Sequence, residues 1–412
     1  LRQPESSTQV QPVLNAYTLS RQYKESYENI LIFDARKLTF ASGKTMLDIY
    51  EEQAQHLPTI SLDELSEEQV LEELAQIKKE LADKVVVLGH HYQQDDVVAL
   101  ADIRGDSLKL AQEAAKLDKE YIIFCGVHFM AETADMLTED HVKVILPDLK
   151  AGCSMADMAN RRDIDKAWSY MKASTKETII PITYINCDAQ LKSFVGENEG
   201  AICTSSNAHK IIEWALEKGE KLLFFPDQHL GRNTCFDLGI PLEDMVVYNP
   251  LQLNGGLTPQ QIDNAKVILW YGYCSVHQGF QKTQVDQIKK SSPETTVIVH
   301  PECNFDVVQA ADMAGSTSYI INQIKAARPG TSWAIGTEIN LVNRLAQEYP
   351  HLEIKSLSPY QCLCTTMYRV RPRWLLESFR SIKRGKPINV IKVDDKTRNF
   401  GLKALERMLE IS

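Results

Sequence analysis

From residue 84 onward, short β-branched runs alternate with helix-like stretches, the arrangement expected of a parallel α/β sheet. The runs are Val85–Leu88, Tyr121–Phe124, Val144–Leu146, Thr178–Ile180, Leu222–Phe225, Val267–Trp270 and Thr296–Val299. Parallel strands need crossovers, and the stretches between these runs are long enough to hold helices.

The alternation carries a repeat, weak in identity and clear in plan. Three times a strand run is followed by a polar cluster: His90-His91-Tyr92, Tyr184-Ile185-Asn186 and His300-Pro301-Glu302. Three times a small hydroxyl residue is predicted to open a helix: Ser107, Ser205 and Thr317. Three times a later segment delivers a cysteine: Cys153, Cys274 and Cys364. The first cysteine interval is the longer, and the excess matches an insertion predicted at about 236–265, with Asn254-Gly255-Gly256 and a Thr258-Pro259 helix start. A chain of 412 residues also agrees with three domains at roughly 150 residues each. The expected fold class is therefore α/β, with three related three-layer α/β/α domains around a pseudo-threefold axis and a central active site. The expected segments are an N-terminal, partly helical extension at 1–70, domains at 71–160, 161–275 and 276–375, and a C-terminal helical segment at 376–412. In the extension, Ser66-Glu67-Glu68-Gln69 reads as a capping box leading into a stripe of Val70, Leu71, Leu74, Ile77 and Leu81.

Composition narrows the function. The net charge of −10 argues against sequence-independent nucleic-acid binding, which needs a basic surface. No apolar run approaches a membrane span. The chain opens without a methionine or an apolar signal core, as a fragment or a trimmed chain would. Nine cysteines, an odd number spread over a long chain, read as reduced thiols rather than a disulfide framework. Cys125, Cys187, Cys203, Cys235, Cys303 and Cys362 are expected to be core thiols.

The repeat also has chemical consequences. Ligands of parallel sheets sit beyond the carboxyl ends of the strands, so a pseudo-threefold arrangement would bring the polar clusters to one pocket. Helix N-termini there would favour a small polyanion with carboxylate or phosphate groups. The three late cysteines would converge too, and three thiolates bind a soft metal or a cluster. A cubane iron–sulfur cluster on three cysteines keeps one iron open as a Lewis acid; zinc on the same thiolates is the second choice. Tyr92, Tyr184, His90, His300 and Glu302 are the candidate proton carriers.

Many ordered motifs then resemble one family, the quinolinate synthases, in a form with a longer insertion. They are Gly89–Gln93 (G-H-H-Y-Q), Gly105–Leu108 (G-D-S-L), Phe129–Ala134, Ala151–Ala156 (A-G-C-S-M-A), Tyr184–Asn186, Cys203–Ala208, Pro226–Arg232 (P-D-Q-H-L-G-R), Gly272–His277 (G-Y-C-S-V-H), His300–Glu302, Gly315–Ser318 and Cys364–Met367. The resemblance implies condensation of iminoaspartate with dihydroxyacetone phosphate to quinolinate, with loss of phosphate and water. It implies a 4Fe-4S cluster on Cys153, Cys274 and Cys364, acting as Lewis acid. It implies substrate contacts from His90, Ser107, Tyr184, Asn186, Ser205, His300, Glu302 and Thr317, with Tyr92 and Glu302 as the proton-handling pair and His300 and Tyr184 in the catalytic set. Some relatives carry C-x-x-C-x-x-C at the last ligand; here the pattern is Cys362-Leu363-Cys364, and C-x-x-M selects Cys364. An aspartate oxidase or dehydrogenase is the implied functional partner, no nucleic acid or membrane is expected, and a homodimer is allowed. The expected compartment is the cytoplasm, or the plastid stroma for a plant or algal source. The competing readings are a non-catalytic metal-storage or sensing protein and a zinc hydrolase.

Overall fold

The structure is a computed structural model that describes residues 65–360 and 362–411; the N-terminal extension up to residue 64 lies outside the described residues. The strands are β1 (Val85–His90), β2 (Ile103–Gly105), β3 (Tyr121–Cys125), β4 (Lys143–Ile145), β5 (Ile179–Tyr184), β6 (Ala201–Cys203), β7 (Lys221–Phe225), β8 (Met245–Tyr248), β9 (Val267–Trp270), β10 (Thr296–Val299), β11 (Met313–Ala314), β12 (Ser332–Gly336), β13 (Glu353–Ser356) and β14 (Val390–Ile391). They form three sheets with orders β14-β4-β3-β1-β2, β6-β5-β7-β9-β8 and β11-β10-β12-β13. All pairings are parallel except β14 against β4. Helices separate the strands, so the fold is layered α/β.

One strand order recurs. In each sheet the first strand (β1, β5, β10) lies between the second (β2, β6, β11) and the third (β3, β7, β12), and a later strand (β4, β9, β13) follows the third. The additions are β14 on the first sheet and β8 on the second. Strand β8 and the helix Pro259–Asn264, capped by Thr258, lie in the segment where an insertion is expected. Strands β1, β3, β5 and β7 are buried at every residue. Burial on both faces is why they read as continuous apolar runs.

The first strand of each sheet delivers a polar cluster at its carboxyl end: β1 ends at His90, β5 at Tyr184, and β10 one residue before His300. The hydroxyl residues differ from expectation. Ser107 and Thr317 are the first helical residues of Ser107–Ala114 and Thr317–Lys325, while Asp106 and Ser316 are the caps. Ser205 opens no helix; the helix Ala208–Lys218 starts after Asn207, and Ser205-Ser206-Asn207 forms the turn before it. None of the three hydroxyls is used up as an N-cap.

The capping box at Ser66 and Gln69 is present, and the helix Glu67–Glu80 buries Val70, Leu74 and Ile77. Leu71, expected in the same stripe, is exposed instead, because it sits off the face that meets the helix Pro372–Lys383. Arg380 of that helix grips the Glu73 carboxylate at 2.7 and 2.5 Å. No helix among the described residues is long and apolar enough to cross a membrane.

The helix Asp395–Ile411 packs on the helix Ala189–Glu197 at very close range. A Cβ on Gly196 would lie 1.9 Å from the Phe400 carbonyl oxygen, so at this point the backbones approach where a side chain is missing. Gly196→Ala is expected to cost about 1–3 kcal/mol by overpacking, read as a lower denaturation midpoint with the slope unchanged.

Candidate active site

Each of the three predicted cysteines follows the later strand of its sheet, in a loop of one local design. The carbonyls of Ala151, Gly272 and Cys362, each two positions before the cysteine, accept the N–H of His128 (2.8 Å), Gln228 (2.9 Å) and Ile339 (3.2 Å). Those donors are the first residues of the helices His128–Leu137, Gln228–Asp237 and Ile339–Glu348, which follow the third strand of each sheet. The carbonyls of Cys153, Cys274 and Cys364 then accept from Asp157 (3.1 Å), Gln278 (2.9 Å) and Tyr368 (3.0 Å). A short 3-10 turn follows each time, at Ala156–Met158, His277–Gly279 and Met367–Arg369. Helices then begin at the same offset, at Arg161, Lys282 and Pro372. In this frame Cys362 stands where Ala151 and Gly272 stand, so Cys364 is the equivalent of Cys153 and Cys274.

The three loops open on one cleft. Cys153, Cys274 and Cys364 line it together with His90, Tyr92, Ser107, Tyr184, Asn186, Ser205, His300, Glu302 and Thr317. Every residue singled out in the sequence is thus brought to one place. Cys125, Cys187, Cys203, Cys235 and Cys303 are buried as expected, and Cys362 is only half-buried.

A string of hydrogen bonds crosses the cleft. The Tyr184 hydroxyl donates to Glu302 Oε1 at 2.5 Å. Glu302 Oε2 lies 2.9 Å from His277 Nδ1, and His277 Nε2 lies 3.1 Å from Thr337 Oγ1. The Tyr92 hydroxyl meets Thr337 Oγ1 at 2.8 Å and Thr317 Oγ1 at 2.9 Å. Tyr92 and Glu302 are therefore linked through Thr337 and His277. The His277 and His300 rings stack at 4.5 Å. The Asn186 Oδ1 atom is buried and finds no hydrogen-bond partner among the described residues.

Three residues of this arrangement were given no role in the sequence reading. His277 stands three positions after Cys274, a C-x-x-H spacing inside a quoted motif, and that spacing was the available signal. Asp106 caps its own helix through Lys109 N (3.0 Å) and accepts from Ser206 Oγ (3.2 Å) and Ser318 Oγ (2.5 Å). It thereby ties together the starts of all three hydroxyl segments. Thr337 has no local signal at all.

Burial sets the protonation states. It pushes His90 and His300 down to about 3, so both are neutral near pH 7. Burial opposes the charge of Glu302, but its coupling to the neighbouring imidazoles and the hydrogen bonds from His277 and Tyr184 hold the carboxyl below its ordinary range. Burial first, then the Glu302 charge, raises Tyr92 and Tyr184 well above their ordinary value. The Tyr184–Glu302 contact is thus a phenol donating to a carboxylate. Burial also raises the thiols, Cys153 to about 12, and the neighbouring cysteines add to the rise at Cys153 and Cys274. Sites where thiolates press on one another in this way suit a bound cation. Cys274, His277 and Glu302 offer ligand atoms within 4.8 Å of one another, the one such trio found among the described residues, and can hold a metal ion.

Known proteins share this chain's sequence over most of its length. A family described as Quinolinate synthetase A protein matches residues 72–410. A protein named quinolinate synthase from Listeria monocytogenes serotype 4b is 51% identical over 350 residues, covering 85% of this chain and 95% of its own. One of the same name from Bacillus licheniformis is 49% identical over 368 residues, covering 88% and 98%. Another, from Bacillus velezensis, is 48% identical over 366 residues, covering 89% and 99%. With nearly all of the described region matched and about half of the aligned positions identical, the chain belongs to the Quinolinate synthetase A protein family.

Proposed function

We propose that this enzyme condenses iminoaspartate with dihydroxyacetone phosphate to quinolinate, releasing phosphate and water, with a 4Fe-4S cluster held by Cys153, Cys274 and Cys364. The observation that carries the reading is the convergence of three cysteine loops of one design on the cleft lined by the polar clusters. The donor set fits a cluster better than a lone zinc ion. A cubane cluster takes one cysteine per iron, so three converging thiols hold three irons and leave the fourth open. When bound, such a cluster supplies an open iron as a Lewis acid toward a substrate hydroxyl or carboxylate oxygen.

The chain's own residues do the rest. Ser107 and Thr317 place hydroxyls and free helix N–H groups at the cleft, and Ser205 adds a third hydroxyl; these hold phosphate and carboxylate groups. Neutral His90 and His300 are hydrogen-bond partners without charge repulsion. Asn186 Oδ1, an acceptor without a partner, takes a substrate N–H or O–H. Ionised Glu302 accepts a proton from carbon or nitrogen, and Tyr184, which retains its own, donates to a departing hydroxide. The string from Tyr92 through Thr337, His277 and Glu302 to Tyr184 returns protons between the two ends of the cleft. The imine substrate would come from an aspartate oxidase or dehydrogenase, and the family's bacterial members suit a cytoplasmic setting.

Asn186→Ala is expected to raise KM roughly tenfold with kcat little changed, since about 1.4 kcal/mol of hydrogen bonding is removed; steady-state kinetics with each substrate varied will check it. The reading as a whole is tested by anaerobic reconstitution with iron and sulfide. A brown chain with about four irons and four sulfides that forms quinolinate supports it. A colourless, inactive chain overturns it.

A further inference from the structure

We propose that, when the cleft holds no cluster, Cys274, His277 and Glu302 bind a single zinc ion. These side chains come from two neighbouring segments, and their ligand atoms already lie within 4.8 Å of one another. Zinc ligand lengths of about 2.0–2.3 Å require them to close by only a fraction of that distance. The trio is one sulfur, one nitrogen and one oxygen, all within zinc's ordinary ligand range.

Charge favours the trio over the three thiols. A thiolate, a carboxylate and a neutral imidazole balance one divalent ion, so the buried site carries no net charge. Three thiolates around one zinc would leave a net negative charge in the same buried place.

The supporting hydrogen bonds are also in place. With His277 Nδ1 on the metal, its Nε2–H donates to Thr337 Oγ1, 3.1 Å away. With Glu302 Oε2 on the metal, Oε1 keeps its bond from the Tyr184 hydroxyl at 2.5 Å. Ligating imidazoles and carboxylates ordinarily have such outer partners. Binding replaces the His277–Glu302 hydrogen bond with two metal bonds and releases the Cys274 thiol proton to solvent. The fourth position is left for water or an anion.

A consequence follows for cluster assembly. Zinc would occupy Cys274 and so compete with iron and sulfide. That competition, unlike the zinc site itself, rests on the cluster reading given above.

The test uses the metal-free full chain and zinc titrated against a chromophoric chelator under argon. One zinc per chain is expected, with Cys274→Ser and His277→Ala each weakening binding by at least about a hundredfold and Cys153→Ser and Cys364→Ser leaving it unchanged. Absence of zinc binding, or equal losses in all three cysteine variants, would overturn the proposal. Cobalt substituted into the unmutated chain guards against misfolded variants: a sulfur-to-cobalt band of one-thiolate intensity supports the trio, and three-thiolate intensity overturns it. Slower cluster uptake by the zinc-loaded chain supports the competition. A chain that takes up no cluster even without zinc defeats the proposed function and leaves the zinc titration standing.

Discussion

Cys364→Ala will emerge from anaerobic reconstitution colourless and inactive, while Cys362→Ala will stay brown and active. The two residues are neighbours in sequence and both are half-exposed thiols, so composition gives no reason to prefer either. The loop design does. The Cys362 carbonyl accepts the Ile339 N–H, the bond made by Ala151 and Gly272 in the other loops. Cys364 then occupies the place of Cys153 and Cys274 before the 3-10 turn. On the proposed cluster, losing the open iron would remove several kcal/mol of transition-state stabilisation, at least about a thousandfold in rate. Visible absorption, iron and sulfide content and quinolinate formation measure it. Loss of colour in Cys362→Ala with retention in Cys364→Ala would reverse the assignment.

Glu302→Gln is expected to lower kcat by roughly 10²–10⁴ while the cluster's absorption persists. The substitution keeps the shape of the side chain and an oxygen for the Tyr184 hydroxyl. It removes the charge that the buried site is built to hold, since the hydrogen bonds from His277 and Tyr184 keep Glu302 below its ordinary range. It also replaces the Oε2 acceptor that faces His277 Nδ1 with an amide donor. Glu302 lies outside the three-cysteine set, so the iron and sulfide content should not change. A sensing or storage protein would show no kinetic penalty, because neither role needs a base beside the metal. An unchanged kcat with a full cluster would exclude Glu302 as the proton acceptor.

The sequence by itself determined the parts whose burial leaves a periodic mark. The runs at Val85–Leu88, Tyr121–Phe124 and Leu222–Phe225 correspond to strands buried at every residue, and such strands must be apolar throughout. The edge strands β2, β6 and β11 are two or three residues long, too short for any period to show. Strand β13 is Glu-Ile-Lys-Ser with no fully buried residue, and β12 contains Ala and Gly in place of branched residues. The helix expected to open at Ser205 begins at Ala208, because Asn207 and Thr204 use their side chains in a turn.

The candidate site divides the same way. Its cysteines, hydroxyls and strand-end clusters were legible because the chain states the same plan three times, and repetition separates a pattern from chance. His277 carries one local signal, its C-x-x-H spacing from Cys274. Thr337 and the indirect path from Tyr92 to Glu302 had none. The Tyr92 contacts with Thr317 and Thr337 join residues more than 200 positions apart, and His277 meets Glu302 and Thr337 across 25 and 60 positions. Such contacts depend on how the sheets and their loops pack, a property of the assembled fold that imposes no local period on a single chain. The tertiary structure alone therefore decided which acid meets which base, because a proton moves only between atoms that packing has brought within hydrogen-bond distance.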